Sequence, residues 1–104
     1  MHENLKSFMN DPWWFIPKKM SEFLNEELTK ELSPKHILYG KEAIAVARRE
    51  DNDDAVYWIN ELNKYALVHL TYSKENSADF PKTQLVTLDE LEEYCKKVSK
   101  EYEE

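Results

Sequence analysis

The segment YALVHLTY, residues 65–72, carries the strongest β-strand pattern in the chain and decides the predicted fold class. Its aromatic, β-branched and leucine residues are types that favour a pleated, half-buried surface. Two segments of similar character precede it, at 42–49 and 54–59. The connections between the three, 50–53 and 60–64, are short enough for hairpins. The sequence therefore predicts an antiparallel meander.

Two parts of this sheet allow more than one interpretation. The segment 42–49 contains alanine at positions 43, 45 and 47, which weakens a strand and leaves a helix as the competing possibility. Residues 83–86 have the length and composition of a short fourth strand. The sequence thus predicts a sheet of three or four strands.

Helices are predicted before and after the meander. Apolar side chains recur at helical spacing between residues 17 and 32, and Ser33-Pro34 ends the pattern because a residue before proline is forced out of the α region. Thr87 and Glu90 have the spacing of a capping box, which predicts the start of a C-terminal helix. Its stripe of apolar side chains includes Cys95, which fits a small buried residue better than a reactive thiol.

These elements predict an α+β fold in one domain covering residues 1–104. The domain comprises a helical N-terminal part at 1–34, the meander at 41–72 and the C-terminal helix at 87–103. We expect both helical parts to pack mainly on one apolar face of the antiparallel sheet.

The composition limits the classes of function. A formal net charge of −7 argues against binding to nucleic acid or to an anionic membrane, since both require a basic surface. The single cysteine cannot form an internal disulfide, and the three histidines, at 2, 36 and 69, are too scattered to indicate a metal site. The sequence contains no membrane-spanning apolar run and no signal-peptide pattern. We therefore expect an acidic cytoplasmic protein without metal or cofactor.

The hairpin lengths predict a row of side chains across the sheet. In that register Arg48 faces Ala55 and Ala55 faces His69, so the three lie side by side on adjacent strands. Thr71 follows on the same face because side chains alternate along a strand. A shift of one residue in either hairpin would separate them.

Arg48, His69 and Thr71 are accordingly candidate ligands for an anion, with Arg48 as a bidentate donor. His69 could also act as a general base. The competing interpretation, which we favour, is that His69 is a half-exposed strand residue bonded to a neighbour. Only a few polar groups of this kind belong to functional sites.

Two further features have a functional and a structural interpretation. Asp53 belongs to the acidic segment 49–54, which fits a solvated β-turn better than a calcium loop, since the glycine and the last glutamate of an EF-hand are missing. Trp13 and Trp14 could form a contact patch for a partner. We favour the alternative that they cover a small core.

Four stretches carry a resemblance to known sequences: HILYG at 36–40, ARRED at 47–51 with Asp53-Asp54, YALVHLTYS at 65–73, and Phe80-Pro81 with Thr83. Over residues 36–83, about half of the chain, the sequence resembles a group of small bacterial proteins with no known activity. The chain has Ile37 and Tyr72 where that group has proline and tryptophan. The resemblance implies a stand-alone bacterial cytoplasmic protein and transfers no catalytic residue.

The sequence supports two hypotheses about function. The preferred one is a non-catalytic interaction protein, with an immunity-type or regulatory role towards a partner that has a basic surface. The alternative is a protein that binds a small anionic molecule, or an enzyme, using Arg48, His69 and Thr71. The sequence contains no catalytic motif, and it does not determine the oligomeric state.

Overall fold

The computed structural model describes residues 3–103, and the side chains from Leu5 onwards; Met1, His2 and Glu104 lie outside the described residues. The elements, in chain order, are a 3-10 helix at Glu3–Ser7, β1 at Trp13–Phe15, α1 at Lys18–Glu31, β2 at Ala43–Arg49, β3 at Asp54–Ile59, a 3-10 turn at Asn60–Leu62, β4 at Lys64–His69, β5 at Lys82–Val86 and α2 at Leu88–Glu103. The strands form one antiparallel sheet in the order β1-β2-β3-β4-β5. The α+β class and the meander are therefore confirmed, and the segment predicted at 42–49 forms a strand, at Ala43–Arg49, and not a helix.

The sheet has five strands, so the prediction of three or four was too low. The additional strand, β1, pairs with the last residues of β2, placing Trp14 beside Arg48. It was missed because it is three residues long and lies between Pro12 and Pro17, where no alternating pattern can develop.

The two helices lie on opposite faces of the sheet, which corrects the expectation that both pack on one face. Alternation along β3 sends neighbouring residues to different cores. The core under α1 comprises Leu24, Leu28, Leu38, Ala45, Ala55, Tyr57, Ile59, Ala66, Val68 and Leu70. The core under α2 comprises Leu5, Phe8, Trp13, Ala47, Val56, Tyr65, Leu67, Val86, Leu91, Cys95 and Val98.

Two local features set the register. Val46 is an extra residue in β2, a β-bulge, so that Ala45 and Ala47 face different cores although they are two positions apart. Asn63 adopts the left-handed conformation with φ 51°, which closes the second hairpin so that Ile59 pairs with Lys64. The connection is therefore 60–63, one residue shorter than the predicted 60–64.

Side-chain hydrogen bonds fix the start of α2 and the loop that follows α1. The predicted capping box is confirmed, since the Thr87 amide donates to Glu90 Oε1 at 2.9 Å and the Glu90 amide donates to Thr87 Oγ1 at 3.3 Å. After α1, the Leu38 amide donates to His36 Nδ1 at 3.0 Å, which leaves the His36 Nε2–H to donate to the Pro81 carbonyl at 2.9 Å. His36 thus connects two loops from a buried position.

None of the helices within residues 3–103 is long and apolar enough to cross a bilayer.

Candidate functional site

A row of charged side chains crosses the sheet on the α2 face. It consists of Arg49, Asp54, His69 and Lys82 on the four successive strands β2 to β5, and we call it the polar row. His69 pairs with Asp54 on one side and with Lys82 on the other. The predicted row placed His69 beside Ala55 and Arg48, whereas in the structure its neighbours are Asp54 and Lys82.

Asp54 connects Arg49 and His69 at the centre of the polar row. The His69 Nδ1–H donates to Asp54 Oδ1 at 2.6 Å, and Arg49 Nη1 lies 3.4 Å from Asp54 Oδ2. Asp54 thereby fixes the orientation of the imidazole. The side chain of His69 is 52% exposed, and within residues 3–103 its Nε2 has no hydrogen-bond partner. An imidazole held in this way can exchange a proton with a solvent-borne ligand through Nε2.

Arg49 has a second carboxylate and an aromatic neighbour. It donates to Asp51 through Nε at 2.8 Å and through Nη2 at 2.7 Å, and its guanidinium lies 5.6 Å from the centroid of the Trp13 ring. The bidentate hydrogen bond with Asp51 raises the pKa of Arg49 and lowers the pKa of Asp51. Both groups are therefore ionised, and Arg49 is already engaged by protein carboxylates. It lines a groove of about 340 Å³ together with Tyr94 and Lys97 of α2.

Arg48 is on the opposite face, so the predicted row of Arg48, Ala55 and His69 is wrong. The first hairpin has the predicted pairing of Arg48 with Ala55. In the second hairpin, however, Ala55 pairs with Val68 and not with His69. The shift of one residue moves His69 to the α2 face, because adjacent residues of a strand point in opposite directions.

Around Arg48 lies a surface with two partly exposed aromatic residues and three carboxylates. Trp14 is the strand neighbour of Arg48, and both line a groove of about 340 Å³ with Asp11 and Glu50. Tyr72 is 45% exposed. Partial burial raises the pKa of its phenol, and the charge of Arg48 acts in the opposite direction. The charge of Asp53 acts on the same phenol. We call the six residues the turn-end surface: Asp11, Trp14, Arg48, Glu50, Asp53 and Tyr72.

A third cluster joins the last residue of α1 to the chain just after β4. Glu31 is completely buried and accepts hydrogen bonds from the Thr71 amide at 2.8 Å, the Thr71 hydroxyl at 3.0 Å and the Tyr72 amide at 2.9 Å. The Thr71 hydroxyl also lies 2.8 Å from Glu75 Oε2. With Glu27, whose carboxyl hydrogen-bonds to Glu31, these residues form what we call the carboxyl cluster: Glu27, Glu31, Thr71 and Glu75.

Within the carboxyl cluster, the pKa of Glu27 is raised. Glu31 accepts three hydrogen bonds from protein donors. The hydrogen bond to Glu31, partial burial and the charge of Glu31 raise the pKa of Glu27 to about 7.

The sequence did not indicate Glu31. Charged residues of a helix ordinarily lie on its solvent-exposed side, so the residue type gave no reason to expect a buried carboxylate at the end of α1. One local signal was present, because a carboxylate in the last turn of a helix opposes the helix dipole and needs another reason to be there.

The structure places the six candidate residues in four different parts of the molecule. His69 belongs to the polar row. Arg48, Asp53 and Trp14 belong to the turn-end surface. Thr71 is bonded to Glu31 and is not part of a site with His69. Trp13 is 1% exposed, which confirms the core interpretation and excludes direct contact with a partner.

Comparisons with protein-family models, curated proteins and solved structures found no match. In the part of the chain that the structure describes, no group of three or more histidine, cysteine, aspartate or glutamate side chains is arranged to hold a metal ion. The functional argument therefore depends on the polar row, the turn-end surface and the carboxyl cluster.

Proposed function

We propose that this protein acts by binding a partner protein that has a basic surface, and that the contact is made through the turn-end surface. The observation that supports the proposal is the grouping of Trp14, Arg48 and Tyr72. Tryptophan, tyrosine and arginine are the residue types that contribute most binding energy at protein interfaces. Here they stand together and partly exposed at one end of the sheet.

The charge around these residues supports a basic partner. Asp11, Glu50 and Asp53 are exposed, and Arg48 is the one cation among the six residues of the turn-end surface. A rim of carboxylates around aromatic side chains attracts a basic surface, accelerates association and disfavours acidic competitors. The formal net charge of −7 acts in the same direction over longer distances.

The concrete form that we propose is an immunity-type or regulatory protein of the bacterial cytoplasm. This form rests on analogy and on the resemblance to small bacterial proteins, and not on the geometry of the site. The free, buried thiol of Cys95 is compatible with a reducing compartment.

The test is capture of the partner from an extract of the bacterium that encodes the protein, followed by titration with the purified partner. We expect one stoichiometric partner with a basic isoelectric point. Its affinity should fall on the order of tenfold in Trp14→Ala and in Tyr72→Ala. Tyr102→Ala is the matched control, since Tyr102 is 47% exposed and lies on α2.

Equal affinity for all three variants would contradict the proposed surface, and the absence of any stoichiometric partner would contradict the function. Raising the ionic strength should weaken the wild-type complex mainly through slower association. A complex that is insensitive to salt would argue against the charge complementarity.

A second candidate function follows from the polar row. Asp54 accepts the Nδ1–H of His69, which leaves Nε2 to accept a hydrogen bond from the hydroxyl of an anion such as hydrogen phosphate, and Lys82 on the neighbouring strand adds a positive charge. Inorganic phosphate should then shift the imidazole resonances of His69 in an NMR titration, and Lys82→Ala should weaken the shift. If phosphate leaves these resonances unchanged, the anion-binding alternative is wrong.

A further inference from the structure

We propose that the groove between the end of α1 and the chain after β4 binds a proline-rich segment in the extended polyproline II conformation. We call it the tyrosine groove, and its walls include Leu32, Pro34, Tyr39 and Tyr72. The segment is part of the partner protein, so this inference rests on the proposed function for its source. The affinity of the groove for such a segment is a property of the isolated protein.

The tyrosine groove has the size and the lining of a binding site. Its volume is about 680 Å³, which is within the range of ligand pockets in proteins. Tyr39 and Tyr72 are both about half exposed, so their rings present apolar surface to a ligand. Because the rings remain partly in solvent, the groove suits an extended chain that lies across it better than a small molecule that needs an enclosing pocket.

The backbone of Tyr72 is held in place by a buried carboxylate. It has φ +56°, in the left-handed region that is unfavourable for a residue with a side chain. Glu31, completely buried at the end of α1, accepts hydrogen bonds from the Thr71 amide at 2.8 Å and from the Tyr72 amide at 2.9 Å. These bonds stabilise the unfavourable conformation, and such conformations cluster at sites that clamp a ligand.

Tyr39 belongs to a turn that is also anchored. Its amide donates to the His36 carbonyl at 3.0 Å, and the Leu38 amide donates to His36 Nδ1 at 3.0 Å. His36 and Leu38 are themselves buried. Both tyrosine rings are thus carried by fixed backbone, so little affinity is lost to the ordering of a loop when a ligand binds.

The polar side chains of the tyrosine groove are mostly hydrogen-bond donors. Five lining residues carry a side-chain donor that has no hydrogen-bond or ion-pair partner within residues 3–103: Lys30, Tyr39, Tyr72, Ser73 and Lys74. Glu27 is the one carboxylate in the lining. A ligand that complements these groups presents apolar surface and many acceptors, but few donors.

A polyproline II segment has this chemistry. Proline has no backbone N–H, so the segment presents carbonyl acceptors without donors. Its rings pack on aromatic side chains, and its conformation exists before binding, which keeps the entropy cost low. A small anion would complement Lys30 and Lys74 and leave both tyrosine rings unused. The rings and the donors together therefore favour the proline-rich segment.

The test is an NMR titration of the isolated protein with a proline octapeptide that is acetylated at its N-terminus and amidated at its C-terminus. The amide resonances of Ser73 and Lys74 should shift in a saturable way. A flexible peptide of the same length with alternating glycine and serine should leave them unchanged. The affinity for the octapeptide should fall on the order of tenfold in Tyr39→Ala, and it should stay at the wild-type value in Tyr102→Ala, an exposed tyrosine on α2.

Two further variants make the test specific to this groove. Lys74→Ala, at an exposed position, should also weaken binding, and it provides the comparison should Tyr39→Ala fail to fold. Trp14→Ala should not change the affinity for the octapeptide, because Trp14 belongs to the turn-end surface and does not line the tyrosine groove.

The proposal is overturned if the octapeptide leaves Ser73 and Lys74 unchanged, or if the glycine–serine peptide shifts them equally. Equal weakening in Tyr39→Ala and Tyr102→Ala also overturns it. Saturable shifts with benzoate but none with the octapeptide would assign the groove to a small anion and overturn it as well. A stoichiometric partner captured through the turn-end surface stands in each of these cases, so a failure here is distinct from a failure of the binding function.

Discussion

Asp54 and Glu31 are two acidic residues set against opposite faces of one sheet, and the protein stabilises their charges differently. On the α2 face, Asp54 lies between the Arg49 guanidinium and the His69 imidazole, and its side chain is 17% exposed. On the α1 face, Glu31 is completely buried and is bonded to backbone amides, a hydroxyl and the Glu27 carboxyl. The first charge is balanced by side-chain charges and the second by the dipoles of two amides and a hydroxyl.

This difference predicts different responses to the solution. Ion pairs near the surface are screened by salt, so part of their contribution to stability is lost at high ionic strength. Hydrogen bonds to a buried carboxylate are screened much less, and an amide left without its acceptor is costly. The contribution of the α2 face to stability should therefore depend on ionic strength, and that of the α1 face on pH.

The largest effect is expected for Glu31→Ala. The free energy of unfolding should fall by about 3 kcal/mol, because the amides of Thr71 and Tyr72 lose their acceptor and a void remains at a buried position. Glu26→Ala, an exposed position on the same helix, should change it by less than about 0.5 kcal/mol. Urea denaturation measures both, and similar small losses would show that the carboxyl cluster does not stabilise the fold.

Asp54→Ala should cost less, about 2 kcal/mol, because Arg49 keeps its bidentate hydrogen bonds to Asp51 while His69 loses its partner. The loss should shrink at high salt, whereas the loss in Glu31→Ala should persist. Asp53→Ala, at the exposed neighbouring position, provides the control. If salt affects Glu31→Ala and Asp54→Ala alike, the proposed distinction between the two faces is not valid.

A smaller effect is expected in the pH dependence of stability, with Glu27→Gln as the test variant. Folding raises the pKa of Glu27 from 4.5 to about 7, so the folded state binds more protons than the unfolded state between these values. The contribution of Glu27 is therefore fully present below about pH 4.5 and is lost as the pH rises through about 7.

Urea denaturation at a series of pH values measures this contribution. The free energy of unfolding of the wild type should decline over that window more steeply than that of Glu27→Gln. Glu26→Gln, the exposed control, should retain the wild-type slope. Equal slopes in the wild type and in Glu27→Gln would mean that Glu27 is ionised at neutral pH.

The sequence predicted the secondary structure of this protein better than its sites, for a physical reason. Residue type and spacing determined β3 at Asp54–Ile59 and the capping box of α2, since these depend on local preferences. The faces depend on register, and register was changed by the bulge at Val46 and by the left-handed Asn63. Neither feature has a sequence signal strong enough to predict the length of a connection to within one residue. An error of one residue in register moves each side chain to the opposite face of the sheet.

The carboxyl cluster was beyond prediction for a different reason. Its members come from α1 and from the segment after β4, and they meet only because α1 crosses the face of the sheet that ends at Leu70. Thr71 was chosen as a candidate for its position on the strand beside His69. It proved to be part of a cluster, but with Glu31 as its partner.

The smallest effect on stability is expected for His69→Ala, the residue that the strand pattern first brought to attention. Its side chain is 52% exposed, so the loss should be below about 0.5 kcal/mol. In this variant the Asp54 carboxylate keeps its ion pair with Arg49, and water takes the place of the imidazole. A small loss of stability combined with loss of the phosphate-induced resonance shifts of neighbouring amides would assign His69 a binding role. A loss as large as that of Asp54→Ala would instead make His69 a structural member of the polar row, since an exposed imidazole that contributes so much must act through the carboxylate it contacts.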